Sequence, residues 1–301
     1  MSAGDRSGSA GGSGGVAESG RPAAAESRSG VSGTARGPRR LVLVGFGAIG
    51  RTVAQLLQGV SGIELVAVAV RDPMMPRPGL SESVELIDDP VALARLAPEI
   101  VAEAAGRDSV GPWGLAALGC GADFVVSSVS ALADDDLLEV LRAAAVEGGG
   151  RLEVQPGALG GVDALSGARL MGIDEVEHRI VKPPQAWRGT PAEERCDLDR
   201  LVEATVFYSA SARETASAFP KNANVAMTTA LAGIGADRTM VTLVADPAAA
   251  TNRHEIEASG AFGRLSVVIA NNPLPANPKS SAMAALNLAR VIQRRVSPVI
   301  V

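Results

Sequence analysis

The stretch that most constrains the fold is Leu41–Leu57, LVLVGFGAIGRTVAQLL, where an apolar run passes through Gly45-Phe46-Gly47-Ala48-Ile49-Gly50 into a helical pattern. Leu41 to Val44 is apolar without interruption, as in a strand buried on both faces of a parallel sheet, and Val53, Leu56 and Leu57 recur at helical spacing. The three glycines have separate tasks. Gly45 permits a tight turn, Gly47 has no Cβ to hold a pyrophosphate away, and Gly50 lets helix and strand pack closely. Ala48 and Ile49 fall at the helix N-terminus, whose free N–H groups suit phosphate oxygens. A glycine repeat means little in a chain with 34 glycines, but the strand before it and the helix after it make this a dinucleotide-binding turn.

Downstream, strand and helix patterns alternate. Glu64–Val70 reads as the second parallel strand, and it ends about twenty residues past Gly50, where the adenosine ribose is read. An acidic residue there bonds the 2′-hydroxyl and an Arg accepts a 2′-phosphate; the chain supplies Arg71 followed by Asp72, so NAD and NADP both stay open, as does an exposed Arg71 without a ligand. Val84–Ile87, Ile100–Ala104, Asp123–Ser127 and Arg151–Val154 read as further strands, with helices at Val91–Leu96, Trp113–Leu118 and Asp134–Glu147. The pattern predicts an α/β architecture with an N-terminal Rossmann-type doubly wound parallel sheet over residues 40–155.

Near Pro156 the texture changes. A helix at Val162–Leu170 precedes the alternating segments Glu175–Val181, Glu203–Tyr208, Arg253–Ser259 and Arg264–Ile269 and a strand at Met240–Val244, with helices at Ala210–Ala218 and Asn224–Ala232. Residues 156–279 are therefore expected to form an α+β domain, with a mostly antiparallel sheet, that serves substrate binding, catalysis and oligomerisation. The last helix, within 280–301, is expected to return to the first domain. Residues 1–39 are rich in Gly, Ser and Ala without apolar periodicity and are expected to be disordered, with no cleaved secretory signal.

Composition narrows the function. A formal charge of −5 gives no reason to expect nucleic acid, and no apolar run reaches the length of a membrane span. Cys120 and Cys196 are far apart and lack metal or disulfide spacing, which fits a reducing cytoplasm. The two histidines, His178 and His254, are too distant for a helical metal motif, and no metal is expected.

Several strings then carry a resemblance: GALGGVDAL at Gly157–Leu165, KPPQAWRGTPAE at Lys182–Glu193, FPKNANV at Phe219–Val225, HEIEASGAFG at His254–Gly263 and NPLPANPKSS at Asn272–Ser281. With Gly45–Gly50 they resemble the L-aspartate dehydrogenase family from Arg40 to Val301. Pro156 departs from the small polar residue expected before Gly-Ala, which touches only the shape of the nicotinamide loop. The resemblance implies NAD(P)-dependent oxidation of L-aspartate to iminoaspartate, then oxaloacetate and ammonia, in a homo-oligomeric, dimeric enzyme that feeds de novo NAD synthesis. It implies His254 as the acid/base group and Ala158 and Asn224 as cofactor contacts. On its alternating segment alone, His254 reads more readily as a structural histidine, and His178, which no such string supports, reads as structural.

A substrate with two carboxylates needs fixed donors. Lys221 is the second catalytic candidate, and Lys182, Ser280 and Ser281 are the substrate-binding ones; each also reads as a solvated side chain or a helix cap. A homoserine dehydrogenase or dihydrodipicolinate reductase relative, and a non-catalytic NAD(P) sensor, are the alternative functions.

Overall fold

A computed structural model describes residues 37–220 and 223–301; the chain up to Arg36 and the candidate Lys221 lie outside the described residues. Each apolar run of the first half becomes a strand. β1 (Arg39–Val44) leads into α1 (Ala48–Leu57), then β2 (Ile63–Ala69), β3 (Glu85–Ile87), the short α2 (Ala92–Leu96) and β4 (Ile100–Glu103). α3 (Arg107–Gly119), β5 (Asp123–Val126), a 3-10 turn at Val129–Ala133, α4 (Asp135–Gly148) and β6 (Leu152–Val154) follow. The six strands are parallel in the order β3-β2-β1-β4-β5-β6. This is the doubly wound arrangement, with its switch point between β1 and β4. Leu41 and Leu43 pack on one face with Val53 and Leu57 of α1, and Val42 and Val44 pack on the other, so β1 has no face left for a polar residue.

The helix read from Trp113 begins earlier, at Arg107, and runs through Pro112. An interior proline costs about 3 kcal/mol. Val110, Trp113, Ala117 and Leu118 are buried along this helix. A fully buried large apolar side chain contributes about 1.5–3 kcal/mol, so packing outweighs the local break.

The second half supplies α5 (Val162–Ala168), β7 (Ile173–Lys182), 3-10 turns at Pro184–Trp187 and Pro191–Glu194, β8 (Thr205–Ser211), α6 (Ala212–Ala218) and α7 (Ala223–Ala232). β9 (Met240–Ala245), β10 (Asn252–Gly260), β11 (Gly263–Asn271), the short hairpin β12 (Pro273–Leu274) and β13 (Asn277–Ser281), and α8 (Ala282–Gln293) complete it. The sheet order is β11-β10-β7-β9-β8, antiparallel except for the β7–β9 pair. A parallel pair requires a crossover, and this one carries α6 and α7. β10 buries His254, Ile256 and Ala258 on one face and leaves the alternate residues half-exposed. α8 returns to the first sheet, where Ala285, Leu288, Val291 and Ile292 pack in the cluster of Leu41, Leu43 and Val53.

The glycine turn yields a test of stability. A Cβ on Gly50 would stand 2.1 Å from the Gly45 carbonyl oxygen, whereas one on Gly47 meets no heavy atom within 4 Å. Gly50→Ala is expected to lower unfolding stability by about 1–3 kcal/mol, and Gly47→Ala to stay within about 0.5 kcal/mol of the parent, as measured by urea titration without nucleotide.

Candidate active site

The turn between β1 and α1 opens onto a cleft of about 970 Å³ lined by Gly45, Gly47, Arg51, Arg71, Asp72 and Arg77 among others. Gly45 has φ +98°, and a Cβ there would press to 2.7 Å of the Ala105 Cα, so the turn is closed to any side chain. No side chain caps α1 at Gly47 and its first turn holds no acidic residue, which leaves the helix N-terminus available to an anion. Together with the open space over Gly47, these residues fit a dinucleotide's phosphates. Arg71 is exposed at the end of β2, as the sequence placed it. Arg51 and Arg77, which the sequence reading passed over, line the same cleft. The Arg77 guanidinium donates to the carbonyls of Asp72 at 3.1 Å and Met75 at 2.9 Å.

A second cavity, of about 320 Å³, shares Ala104 and Ala105 with the cleft and brings together Ile49, Ala158, Lys182, Asn224, His254, Ser280 and Ser281. The sheet explains how residues so distant in sequence meet. His254 on β10 pairs with Ile180 on β7, and His178 and Lys182 stand two residues to either side of Ile180, so a period of two sets all of them on one face. α7 enters over this face and supplies Asn224 and Thr228 to the cavity wall.

Burial dominates the electrostatics. Lys182 Nζ lies 4.8 Å from the centroid of the buried Trp187 ring, and burial pushes its ammonium down to about 8. An anion in the cavity would favour the charged form that burial disfavours. Burial, then the neighbouring His178 and Lys182, hold the His254 imidazole well below its ordinary value. Burial alone takes His178 down to about 3. Both rings are therefore neutral at pH 7. His254 Nδ1 lies 3.2 Å from His178 Nε2, and His178 Nδ1 lies 2.9 Å from Thr229 Oγ1. The sequence reads His178 as structural because no family string supports it; its partners lie on β10 and α7, far along the chain.

Side-chain amides fix the rest of the wall. Asn224 Oδ1 accepts from the Ser130 N–H at 3.0 Å, which turns its two amide protons away from that contact. The loop at Ala158 is pinned from both sides: Asn271 Nδ2 donates to the Ala158 carbonyl at 2.9 Å, and Asn287 Nδ2 donates to the carbonyls of Gly157 at 2.7 Å and Leu159 at 3.0 Å. Ser281 caps α8 by accepting from the Met283 N–H at 3.2 Å, and Ser280 Oγ accepts from Asn277 Nδ2 at 3.1 Å. Both hydroxyls still line the cavity and keep a proton to donate.

One residue that organises this site was invisible in the sequence. Glu103 closes β4 with no exposure. Its Oε1 accepts from the N–H groups of Ala105 and Gly106, both at 2.8 Å, and from the Ser128 hydroxyl at 2.8 Å. Its Oε2 accepts from the N–H groups of Ser127 at 3.2 Å and Ser128 at 2.8 Å. The loops after β4 and β5, which both line the cavity, are thereby tied to one carboxylate. An acidic residue at the end of an apolar run gives no sequence signal beyond its incongruity.

The profile described as "Aspartate dehydrogenase, C-terminal" matches residues 163–295, and that described as "Homoserine dehydrogenase, NAD binding domain" matches residues 45–155. An L-aspartate dehydrogenase of Brucella anthropi is 54% identical over 262 residues, covering 87% of this chain and 98% of its own. One of Pseudomonas aeruginosa is 43% identical over 260 residues, covering 84% and 96%. The crystal structure of aspartate dehydrogenase from Thermotoga maritima matches with a TM-score of 0.71 at 25% identity, covering 87% of this chain and 99% of that one.

The Glu103 carboxylate offers only acceptors to donors on two loops. Glu103→Gln would turn an amide NH₂ toward them, so it is expected to cost about 2–5 kcal/mol in urea unfolding, more than a neutral hydrogen bond alone contributes. A variant as stable as the parent would show that the loops hold without the charge.

Proposed function

The chain belongs to the L-aspartate dehydrogenase family, and from that premise we propose that it oxidises L-aspartate at Cα to iminoaspartate, released as oxaloacetate and ammonia or passed on to de novo NAD synthesis. The observation that carries this reading is the pairing, in one cavity, of a half-buried lysine with a neutral histidine. The first suits a carboxylate and the second can take a proton.

On this reading residues 40–155 and α8 hold a nicotinamide dinucleotide, and residues 156–279 hold the substrate. The dinucleotide, when bound, accepts the hydride from Cα. Gly45, Gly47 and Gly50 shape the phosphate turn, with Ala48 and Ile49 at its helix N-terminus. Ala158 and Asn224 border the nicotinamide end, where the fixed Asn224 amide has protons to donate. Lys182 meets a substrate carboxylate, and the Ser280 and Ser281 hydroxyls stand as further donors. His254 takes a proton from the substrate ammonium so that the nitrogen lone pair can assist hydride departure from Cα. The two carboxylates brought by the substrate offset the influence of Lys182 on His254 and raise its affinity for that proton. Lys221 is kept as a second catalytic candidate on the family resemblance alone. Two free cysteines suit a cytoplasmic setting.

A panel of amino acids offered with each dinucleotide, followed by the absorbance of the reduced nicotinamide, tests the reaction. Aspartate is expected to give turnover; preference for homoserine, or no hydride transfer at all, would sink the reading in favour of a related enzyme or a sensor. His254→Ala is expected to lower kcat by about 10²–10⁴-fold while dinucleotide affinity and melting temperature stay near the parent's. We also propose that the enzyme accepts NADP, a reading supported by Arg71 lining the cleft together with Arg51 and Arg77. Arg71→Ala is expected to raise the Kd of NADP about tenfold and to leave NAD within about twofold; equal weakening of both would show a general role instead.

A further inference from the structure

His254 can accept a proton only if the ring nitrogen facing the cavity carries none. Its Nδ1 is bonded to His178, and Nε2 is left without a hydrogen-bond partner among the described residues. Which nitrogen bears the hydrogen follows from the far end of the chain of contacts, at Thr229.

Thr229 Oγ1 lies 3.1 Å from the Val225 carbonyl oxygen and 2.9 Å from His178 Nδ1. A carbonyl can only accept, so the hydroxyl proton belongs on the Val225 contact. Thr229 Oγ1 then accepts from His178 Nδ1–H, His178 Nε2 is bare, and it accepts from His254 Nδ1–H. In the opposite direction Thr229 would donate to His178, and its oxygen would face the Val225 oxygen at 3.1 Å with no proton between them. All three side chains are buried, with His254 at 4% exposure and His178 and Thr229 at none, so no bulk solvent supplies the missing bond.

We propose that Thr229 and His178 are positioning residues that lock His254 into its Nδ1–H form, and so present an unprotonated Nε2 to the substrate amine. The inference rests on His254 being the base, as proposed above. When Nε2 takes the substrate proton, the resulting imidazolium keeps its Nδ1–H bond to the neutral His178, and the relay itself transfers nothing. Burial supports this assignment, because it keeps both rings uncharged in the free protein. The arrangement gives His254 an oriented neutral partner where a carboxylate would raise its proton affinity further.

The chain has only two histidines, so their ring nitrogens are resolvable in a long-range ¹H–¹⁵N spectrum of the full-length protein labelled at histidine. At pH 7 without substrate, both rings are expected to be neutral with hydrogen on Nδ1; hydrogen on Nε2 of His254, or a charged ring, overturns the proposal. Thr229→Val keeps the shape and removes the acceptor. It is expected to flip both rings to the Nε2–H form and to lower kcat by about 10–100-fold, with the KM of aspartate and the Kd of the dinucleotide within about twofold. Thr229→Ser is expected to restore the parental spectrum and rate. Parental tautomers and kcat in Thr229→Val overturn the relay. If instead the tautomers flip as expected but His254→Ala is as active as the parent, it is the role of His254 as base that falls.

Discussion

A carboxylate buried without a cation is expensive unless its oxygens are filled with hydrogen bonds, and Glu103 meets that requirement with four backbone N–H groups and a hydroxyl. The constraint works in both directions. The carboxylate stays buried only while the loops after β4 and β5 keep their shape, and those loops are held by the hydrogen bonds it accepts. Ala104 and Ala105, set by the same anchor, are the wall common to the cleft and the cavity. The position of that wall governs where the two halves of a dinucleotide would lie. A single acidic side chain at a strand end thus fixes the wall that the cleft at the glycine turn shares with the cavity of His254.

The walls of the cavity are fixed by contacts behind them. The Lys182 ammonium lies over Trp187, whose indole N–H donates to the Val244 carbonyl at 2.9 Å and is thereby fixed in the sheet. Asn224, Asn271 and Asn287 place their amides on backbone groups of facing segments. Each donor is therefore held before any substrate arrives, the condition under which charge stabilisation costs no reorganisation.

Much of this was legible in the sequence. The continuous apolar run of β1, the glycine spacing after it and the alternation of β10 are local properties, and local periodicity dictates them. The resemblance to a family carried Ala158, Asn224 and His254 into one site, and the cavity contains all three. What periodicity cannot express is pairing between distant segments. Nothing local tells β7 to lie parallel to β9 within an otherwise antiparallel sheet, yet that choice places α7, and with it Thr229, over His178. Glu103 was passed over for the same reason: its donors come from two loops, and its burial is a tertiary fact. Helix α3 misled in the opposite sense. Gly111 and Pro112 are true local break signals, and they are overruled by the burial of Val110 and Trp113.

The return of α8 to the first sheet bears on how the chain is made. Leu41, Leu43, Ile100 and Val125 form one face of the parallel sheet, and α8 supplies Ala285, Leu288, Val291 and Ile292 to cover it. All six strands of that sheet are synthesised by residue 154, whereas α8, which completes the cover begun by Val53 and Leu57 of α1, starts at residue 282. For the time taken to synthesise the whole second sheet, the part of that face which α8 covers stays open. A nascent chain with this topology is a natural client for chaperones. Translation that stalls between the two sheets would leave an aggregation-prone fragment rather than an independent nucleotide-binding domain.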